Sequence, residues 1–389
     1  MSVPLNDIIP KLSLVTTIMQ PVEYKSTPDT DHRIRRHNFS AGPGVLPEEV
    51  LLEVRDELPV YRDIGTSVLE ISHRSPTYTE IEQTAKQRLK RLLALDNEWH
   101  VLFLQGGASM QFHQVPLNFL PSDGSADYLL TGAWSKKAIR EAQIVGTARA
   151  AASSEDRNFN YIPEPSSWSL DPVAAYLHFT SNNTIFGTQF RNEPAADVPL
   201  VCDASSDFLS KSIDVNRYGL IYAGAQKNMG PAGVTVVLVH DDFLQGRNQH
   251  LPTILDYGTH TSNLFNTPPV FAVYVVGKVL KWLEDLGGLT RMEELNDLKA
   301  GKLYERIDRT DYYRGTAEVF SRSKMNVTFR LPSEDLEKQF LEEATKAGLL
   351  GLKGHRSVGG LRASIYNACS AASVDALVTF MNEFERKNG

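Results

Sequence analysis

The stretch from Leu200 to Val239 constrains this chain most, because it sets an acid and a lysine at the ends of neighbouring β-rich runs. The runs are short, apolar and separated by polar or glycine-rich turns: Leu200–Cys202, Leu220–Ala223 and Val234–Val239. Asp203 ends the first run, and Lys227 closely follows the second. Ligands of open α/β sheets collect at the carboxyl ends of strands, so both side chains are expected to face one pocket.

A lysine in such a place has chemistry that an arginine lacks. Its amine forms Schiff bases with carbonyl compounds once its pKa is lowered. A carboxylate opposite it suits the protonated nitrogen of a pyridine ring, which can then draw electrons. The spacing of Asp203 and Lys227 is also compatible with a solvated surface lysine beside a helix-capping aspartate, and it does not decide between the two interpretations.

Composition excludes several classes of partner. The 389 residues predict two or three domains. The formal net charge is −7, from 40 basic and 47 acidic residues without a long basic run, which argues against nucleic acid. The two cysteines, Cys202 and Cys369, allow neither a disulfide framework nor a zinc site by themselves, and they fit a reducing, cytoplasmic location. No metal site is predicted, and the lack of a run of ~18 apolar residues predicts no membrane span.

The amino-acid sequence around Lys227 is more specific than the spacing between Asp203 and Lys227. Asp203-Ala204-Ser205-Ser206, followed by Tyr222–Gly233 (YAGAQKNMGPAG), closely resembles the phosphoserine aminotransferase family. These are fold-type I, class V aminotransferases that use pyridoxal 5′-phosphate (PLP), and the resemblance runs from about Asn38 to the C terminus. It implies an α/β fold, with a large domain built on a mostly parallel seven-stranded sheet between helices and a smaller C-terminal α+β domain. The expected divisions are an N-terminal extension of unknown role and the two domains: 1–37, 38–290 and 291–389.

The resemblance also implies a set of cofactor-binding residues. Lys227 is the Schiff-base lysine, Asp203 is the pyridinium partner, and Gln226 contacts PLP. The Gly106-Gly107 pair at a predicted helix start bares N–H groups that suit a phosphate. By resemblance, Ala108 and Ser109 bind the PLP phosphate, and Trp134 and Thr184 contact the ring. Asn266 and Thr267 reach the partner's PLP phosphate across a dimer interface.

Two His-Arg pairs and one further arginine form the predicted anion-binding set. An arginine binds a carboxylate or a phosphate through two parallel hydrogen bonds. By resemblance, Arg362 binds the α-carboxylate of the substrate. The pair His355 and Arg356, together with His73 and Arg74 of the partner subunit, binds the substrate's phosphate or the distal carboxylate of glutamate. Ser40 and Ala41 are expected close to the substrate carboxylate, although Ala41 offers no side-chain hydrogen bond.

The implied activity is a ping-pong transamination. The amino group of L-glutamate passes through PLP to 3-phosphooxypyruvate, giving O-phospho-L-serine and 2-oxoglutarate for serine biosynthesis. A related reaction with 4-phosphohydroxy-L-threonine, in pyridoxine biosynthesis, is left open. The resemblance further implies a homodimer with shared active sites.

Two other functions compete with this one. A PLP lyase or cysteine desulfurase could use the same fold, but a desulfurase needs a reactive cysteine, and Cys202 and Cys369 both fit packed apolar positions. A phosphate-binding module is the non-enzymatic alternative, and it would need no lysine opposite an acid.

Local patterns predict the surrounding elements. A helix should begin after Ser75 with Pro76 at its first position, and another after Pro268-Pro269. Residues 146–170, which are small and polar, should be rich in loops. Val327, Phe329 and Leu331 alternate as in a half-buried strand.

Overall fold

A computed structural model describes residues 35–262 and 264–389. Residues 36–389 form one compact unit. The predicted N-terminal extension lies outside the described residues up to residue 34, and the proposed division at residues 290 and 291 stays a prediction. None of the described helices combines the length and the apolar character needed to cross a lipid bilayer.

Among the described residues, strands and helices alternate between residues 99 and 153, and the strands from residue 147 to residue 240 follow one another without an α-helix. The strands are, in chain order, β1 (His37–Asn38), β2 (Trp99–Leu104), β3 (Ser125–Leu130), β4 (Thr147–Ser153), β5 (Leu177–Thr180), β6 (Asn182–Asn183), β7 (Thr188–Gln189), β8 (Leu200–Asp203), β9 (Tyr218–Gly224), β10 (Thr235–His240), β11 (Arg314–Gly315), β12 (Asn326–Arg330), β13 (Leu349–Leu350) and β14 (Leu361–Ser364). The helices are α1 (Glu48–Glu57), α2 (Pro76–Leu92), α3 (Gly107–Phe119), α4 (Ala133–Val145), α5 (Asp241–Gln245), α6 (Thr259–Ser262), α7 (Val270–Asp285), α8 (Gly288–Asp308), α9 (Glu334–Lys346) and α10 (Ala371–Asn388).

Seven strands form the central sheet in the order β2-β10-β9-β8-β5-β3-β4. Strand β10 runs antiparallel to both of its neighbours, and the other pairs are parallel. Alternate residues of each strand point to opposite faces. On β9, Ile221 and Ala223 pack in the cluster that includes α2 and α7, whereas Leu220 and Tyr222 pack with α3 and α4. The expected mostly parallel seven-stranded sheet between helices is therefore confirmed.

The predicted helix starts are confirmed. The hydroxyl of Ser75 accepts a hydrogen bond from the backbone N–H of Tyr78, with Pro76 at the first helical position of α2. Helix α7 begins at Val270, directly after the two prolines. It is buried on most of its surface because it packs between α2 and the sheet.

The prediction that residues 146–170 are rich in loops is wrong for the first part of this range. Residues Thr147–Ser153 form β4, which pairs in parallel with β3 at the edge of the sheet. Its sequence, TARAAAS, has no large apolar side chain, and only Ala151 among its residues is buried. An edge strand needs less apolar surface than a central one, which explains why composition failed to reveal it.

The C-terminal residues build a second core. Strands β11, β12 and β14 form a three-stranded antiparallel sheet, and Val327, Phe329 and Leu331 on and just after β12 are buried. Helices α8, α9 and α10 pack on it. Strand β1, near the start of the described residues, pairs with β13, so the first described residues belong to this core.

A buried lysine fixes the chain after β14. Lys299, on α8, is 3% exposed, and its Nζ donates to the carbonyl oxygens of Ile365, Tyr366 and Cys369 at 3.1, 2.8 and 3.0 Å. Within the described residues, no carboxylate forms an ion pair with it. Burial lowers the pKa of Lys299 to about 8. Its hydrogen bonds are therefore made entirely to the backbone of this turn.

We expect Lys299→Met to lower the free energy of unfolding by about 3 kcal/mol, because it leaves several buried carbonyl groups without a donor. Chemical denaturation measures this change. Lys302→Met is the control, since Lys302 lies on the same helix and pairs at the surface with Asp375. Such a pair contributes about 0.5 kcal/mol. Equal effects of the two substitutions would contradict the structural role of Lys299.

Candidate active site

Lys227 lies in a tight turn after β9, and its amine is enclosed. Nζ donates to Thr184 Oγ1 at 2.7 Å and lies 5.5 Å from the centroid of the Trp134 ring. Burial lowers the pKa of Lys227 to about 8, because a charged ammonium loses hydration there. The charge of Asp203 opposes this shift, and that of Arg362 adds to it. The amine is thus poised to lose its proton near neutral pH.

Asp203 ends β8, next to β9 in the sheet, which explains why it faces Lys227. Its side chain is 4% exposed, and Oδ1 accepts a hydrogen bond from the N–H of Ser205 at 3.0 Å. Burial raises the pKa of Asp203, and the charge of Lys227 partly offsets the rise. A buried carboxylate of this kind gains from a nearby positive group. The predicted acid and lysine therefore share one site.

The segment after β1 packs directly against the lysine. A Cβ atom added at Gly42 would lie 3.3 Å from Lys227 Cγ, and Gly42 has a φ of +148°. The N–H of Gly44 donates to the carbonyl oxygen of Gln226 at 2.7 Å. The hydroxyl of Tyr366 donates to the carbonyl oxygen of Ala41 at 2.7 Å. Ser40 and Ala41 are thus brought to the site.

The start of α3 offers backbone N–H groups to an anion. Gly106 and Gly107, with φ of +92° and +66°, turn the chain from β2 into this helix, and no side chain caps it. Ser109, in the first turn, is exposed. Asn266 Nδ2 donates to Gln105 Oε1 at 2.7 Å, so the predicted Asn266 lies beside the same turn, while Thr267 is exposed. Uncapped helix starts favour negatively charged ligands.

Trp134 lies in the first turn of α4, between Lys227 and the loop before β14. Its Nε1 is buried and has no hydrogen-bond partner in the described part of the chain. Val358 of that loop packs in the same cluster as Trp134. Buried donors are normally paired, so an unpaired indole N–H at a pocket is expected to meet a ligand.

Arg362 brings positive charge to the site from β14. Its Nη1 donates to the backbone oxygen of Thr184 at 3.3 Å, and its Nε is buried and has no hydrogen-bond partner among the described residues. His355 Nδ1 lies 2.7 Å from Ser357 Oγ. Burial lowers the pKa of His355, and the charges of Arg362, Arg356 and Lys137 lower it further. Positive charge from three side chains therefore acts on His355.

His73 and Arg74 are not part of this group in a single chain. They precede α2, with His73 partly buried and Arg74 exposed. Across residues 35–262 and 264–389, no hydrogen bond or ion pair joins either side chain to Lys227 or Arg362. Their expected position, reaching in from a partner subunit, stays a prediction.

A buried polar network, which sequence analysis missed, connects the segments that surround the site. Asn182 Nδ2 donates to Asn326 Oδ1 at 2.7 Å. Asn326 Nδ2 donates to Ser364 Oγ at 2.8 Å and to the hydroxyl of Tyr366 at 3.3 Å. Tyr366 in turn contacts Ala41. The network joins the two-stranded β6–β7 sheet, the C-terminal sheet and the segment beside Lys227. In the sequence, only the nearby residues Arg362–Asn367 (RASIYN) could have indicated it.

The site fits PLP on the properties of its side chains. It combines an amine of lowered pKa, a buried carboxylate, an indole with an unpaired N–H and an uncapped helix start. No group of three metal-ligating side chains occurs among the described residues. The cysteines offer no competing nucleophile, since Cys202 and Cys369 are buried and burial raises the pKa of both thiols.

Comparison with known proteins agrees with this geometry. The family model described as aminotransferase class-V matches residues 36–377. The phosphoserine aminotransferase of Desulfosudis oleivorans is 56% identical over 360 residues, covering 91% of this chain and 99% of its own. The structure of phosphoserine aminotransferase from Bacillus circulans subsp. alkalophilus is similar, with a TM-score of 0.89, 49% identity and coverage of 91% and 99%. So is the PLP-bound phosphoserine aminotransferase of Trichomonas vaginalis, with a TM-score of 0.86, 40% identity and coverage of 90% and 100%.

The lowered pKa of Lys227 makes a prediction about pH. Only the neutral amine attacks an aldehyde, so the rate at which cofactor-free protein takes up PLP should rise about tenfold per pH unit and level off near pH 8. The visible absorbance of the lysine–PLP imine follows the uptake, and Lys227→Arg should form no imine. A rate that keeps rising towards 10.5, the ordinary pKa of lysine, would contradict the assignment.

Proposed function

The chain belongs to the class-V aminotransferase family and, within it, to the phosphoserine aminotransferases; we propose that it transfers the amino group between L-glutamate and 3-phosphooxypyruvate. The products are O-phospho-L-serine and 2-oxoglutarate, and the cofactor is PLP. This reaction serves L-serine biosynthesis.

One observation carries the proposal. Thr184 contacts both Lys227 and Arg362, through Oγ1 at 2.7 Å and through its backbone oxygen at 3.3 Å. An α-amino acid has its amino group and its carboxylate on one carbon atom. A site for it must therefore set a group that exchanges nitrogen beside a group that binds a carboxylate, and Thr184 holds these two groups together.

We assign the cofactor contacts as follows. When bound, PLP supplies an aldehyde carbon that takes up an amino group and a ring that draws electrons. With PLP bound, Asp203 would keep the ring nitrogen protonated through its negative charge, and Trp134 would contact the ring. Ala108 and Ser109 would bind the cofactor phosphate from the start of α3. Thr184 would contact the ring oxygen, and Gln226 would contact another part of the cofactor. Asn266 and Thr267 would reach the phosphate across the dimer interface, in the partner subunit.

Lys227 moves the proton of the reaction. Because the pKa of its amine is near 8, a useful fraction of Nζ is neutral at pH 7 and can accept a proton from the substrate Cα. With PLP bound, the same amine would be the group that returns this proton. Trp134 and the segment at Gly42 cover the amine and exclude water from it.

Separate cations bind the two anionic ends of the substrate. Arg362 takes the α-carboxylate, near Ser40 and Ala41. His355 and Arg356 take the phosphate of phosphoserine or the distal carboxylate of glutamate, together with His73 and Arg74 of the partner subunit. The active form is therefore a homodimer with shared sites, a proposal supported by exposed apolar side chains at the surface, such as Phe265 at 50% and Leu69 at 60%.

Three broader assignments complete the proposal. The enzyme works in the cytoplasm, which accords with its two free, buried cysteines. It also accepts 4-phosphohydroxy-L-threonine for pyridoxine biosynthesis, since that substrate carries the same pair of anions. Residues 38–290 and 291–389 act as a large cofactor-binding domain and a small domain.

A panel of amino donors tests the function. Phosphoserine and glutamate should convert the PLP form to the pyridoxamine form, seen as a change in visible absorbance, whereas alanine and cysteine should react far more slowly. Lys227→Ala should abolish turnover and still bind PLP weakly. Sulfide release from cysteine, or turnover with no preference for phosphoserine, would reject the proposal.

Arg356→Ala should raise the KM for phosphoserine by at least about tenfold, because an ion pair with the phosphate is lost, and leave the affinity for PLP unchanged. Steady-state kinetics and cofactor titration measure the two effects. Lys353→Ala is the control, since Lys353 is exposed three residues earlier. Equal weakening of phosphoserine and PLP binding would reject the substrate role of Arg356.

A further inference from the structure

Lys137 is a cation beside the active site that the reaction described above does not use. It lies three residues after Trp134 on α4, so both side chains occupy one face of the helix. Its Nζ is 4.5 Å from the centroid of the Trp134 ring. The neighbouring Lys136 forms an ion pair with Glu155. Lys137 itself has no carboxylate partner in the described ranges.

Trp134 and the loop that carries His355 and Arg356 border the same apolar cluster. Trp134 and Val358 of this loop both pack against Phe159, Ile185 and Phe186. The charge of Lys137 acts on His355, together with those of Arg356 and Arg362. Three cationic side chains, Lys137, Arg356 and Arg362, thus act on His355 from α4, the loop and β14. Among the described residues, none of the three forms an ion pair with an acid.

Such a cluster is unfavourable without an anion, because like charges repel and no carboxylate offsets them. A single carboxylate on Arg362 would leave most of this charge unused. A dianionic phosphate attracts a nearby ammonium about twice as strongly as a monoanionic carboxylate does. Lysine commonly binds phosphate as a point charge.

We propose that Lys137 is a further specificity-determining residue, whose ammonium binds the phosphate end of the substrate and favours phosphoserine over glutamate. The inference rests on the proposed function, since it extends the same anion-binding site. It adds a contact from α4, opposite the loop that carries the His-Arg pair.

Lys137→Met tests the proposal, because methionine keeps an apolar stem against Trp134 and removes the charge. Lys136→Met is the matched control. In the cofactor-loaded protein, we expect the Kd for phosphoserine to rise about tenfold and that for glutamate about threefold, with kcat nearly unchanged. The visible absorbance of the cofactor should stay the same, and Lys137→Arg should restore most of the affinity.

Inorganic phosphate is the second probe, with its binding to the loaded protein measured by calorimetry. The cofactor occupies its own phosphate site there, so the probe reports the substrate site. Phosphate should bind more weakly to Lys137→Met than to wild type or Lys136→Met. Unchanged phosphoserine selectivity and unchanged phosphate binding in Lys137→Met would overturn the inference.

The two proposals can fail separately. If wild type turns over phosphoserine and Lys137→Met keeps the same selectivity, only the role of Lys137 is wrong. If wild type does not turn over phosphoserine, the proposed function fails. The binding of inorganic phosphate then tests the role of Lys137 separately. Weaker phosphate binding to Lys137→Met than to wild type supports this role, and equal binding refutes it.

Discussion

The site depends on one electrostatic arrangement, a lysine amine removed from water opposite a buried carboxylate. Burial pushes both groups towards their neutral forms, lowering the pKa of Lys227 and raising that of Asp203, while their mutual attraction opposes both shifts. The sheet creates this arrangement because β8 and β9 are parallel neighbours whose carboxyl ends meet at one edge. A fully solvated lysine would be almost entirely protonated at neutral pH and would make a poor nucleophile or base.

The C-terminal core contributes position as much as charge. Arg362 reaches the amine from β14, and the chain just beyond that strand is fixed by Lys299 from α8. Tyr366, in the same stretch, links the Asn326 network to Ala41. Arg362 and the segment that packs against Lys227 are therefore fixed by buried hydrogen bonds of the same stretch, which limits their relative movement. Such preorganisation suits the proposed ping-pong reaction, in which one anionic substrate is positioned at a time.

Sequence analysis correctly predicted the features that short sequence motifs encode. The Ser75 cap, the Pro268-Pro269 helix start and the Asp203–Lys227 pairing depend on residues close together in the chain, and all three are present in the structure. The features that were missed depend on distant residues or on position in the sheet. Strand β4 is a strand only because β3 pairs with it, and the contact of Gly42 with Lys227 joins positions 185 residues apart. Lys137 was missed because its lysine-rich helix turn is typical of an ordinary solvated surface.

The most direct test of the central claim is borohydride reduction of the PLP-loaded protein, followed by peptide mapping. Two lysines of the described residues, Lys227 and Lys299, have pKa values lowered to about 8, so a low pKa alone does not distinguish them. Only Lys227 faces a buried carboxylate and an aromatic ring, whereas Lys299 is enclosed by backbone carbonyl groups. The account predicts a single label, on Lys227. A label on Lys299 or on any other lysine, or no label at all, would contradict it.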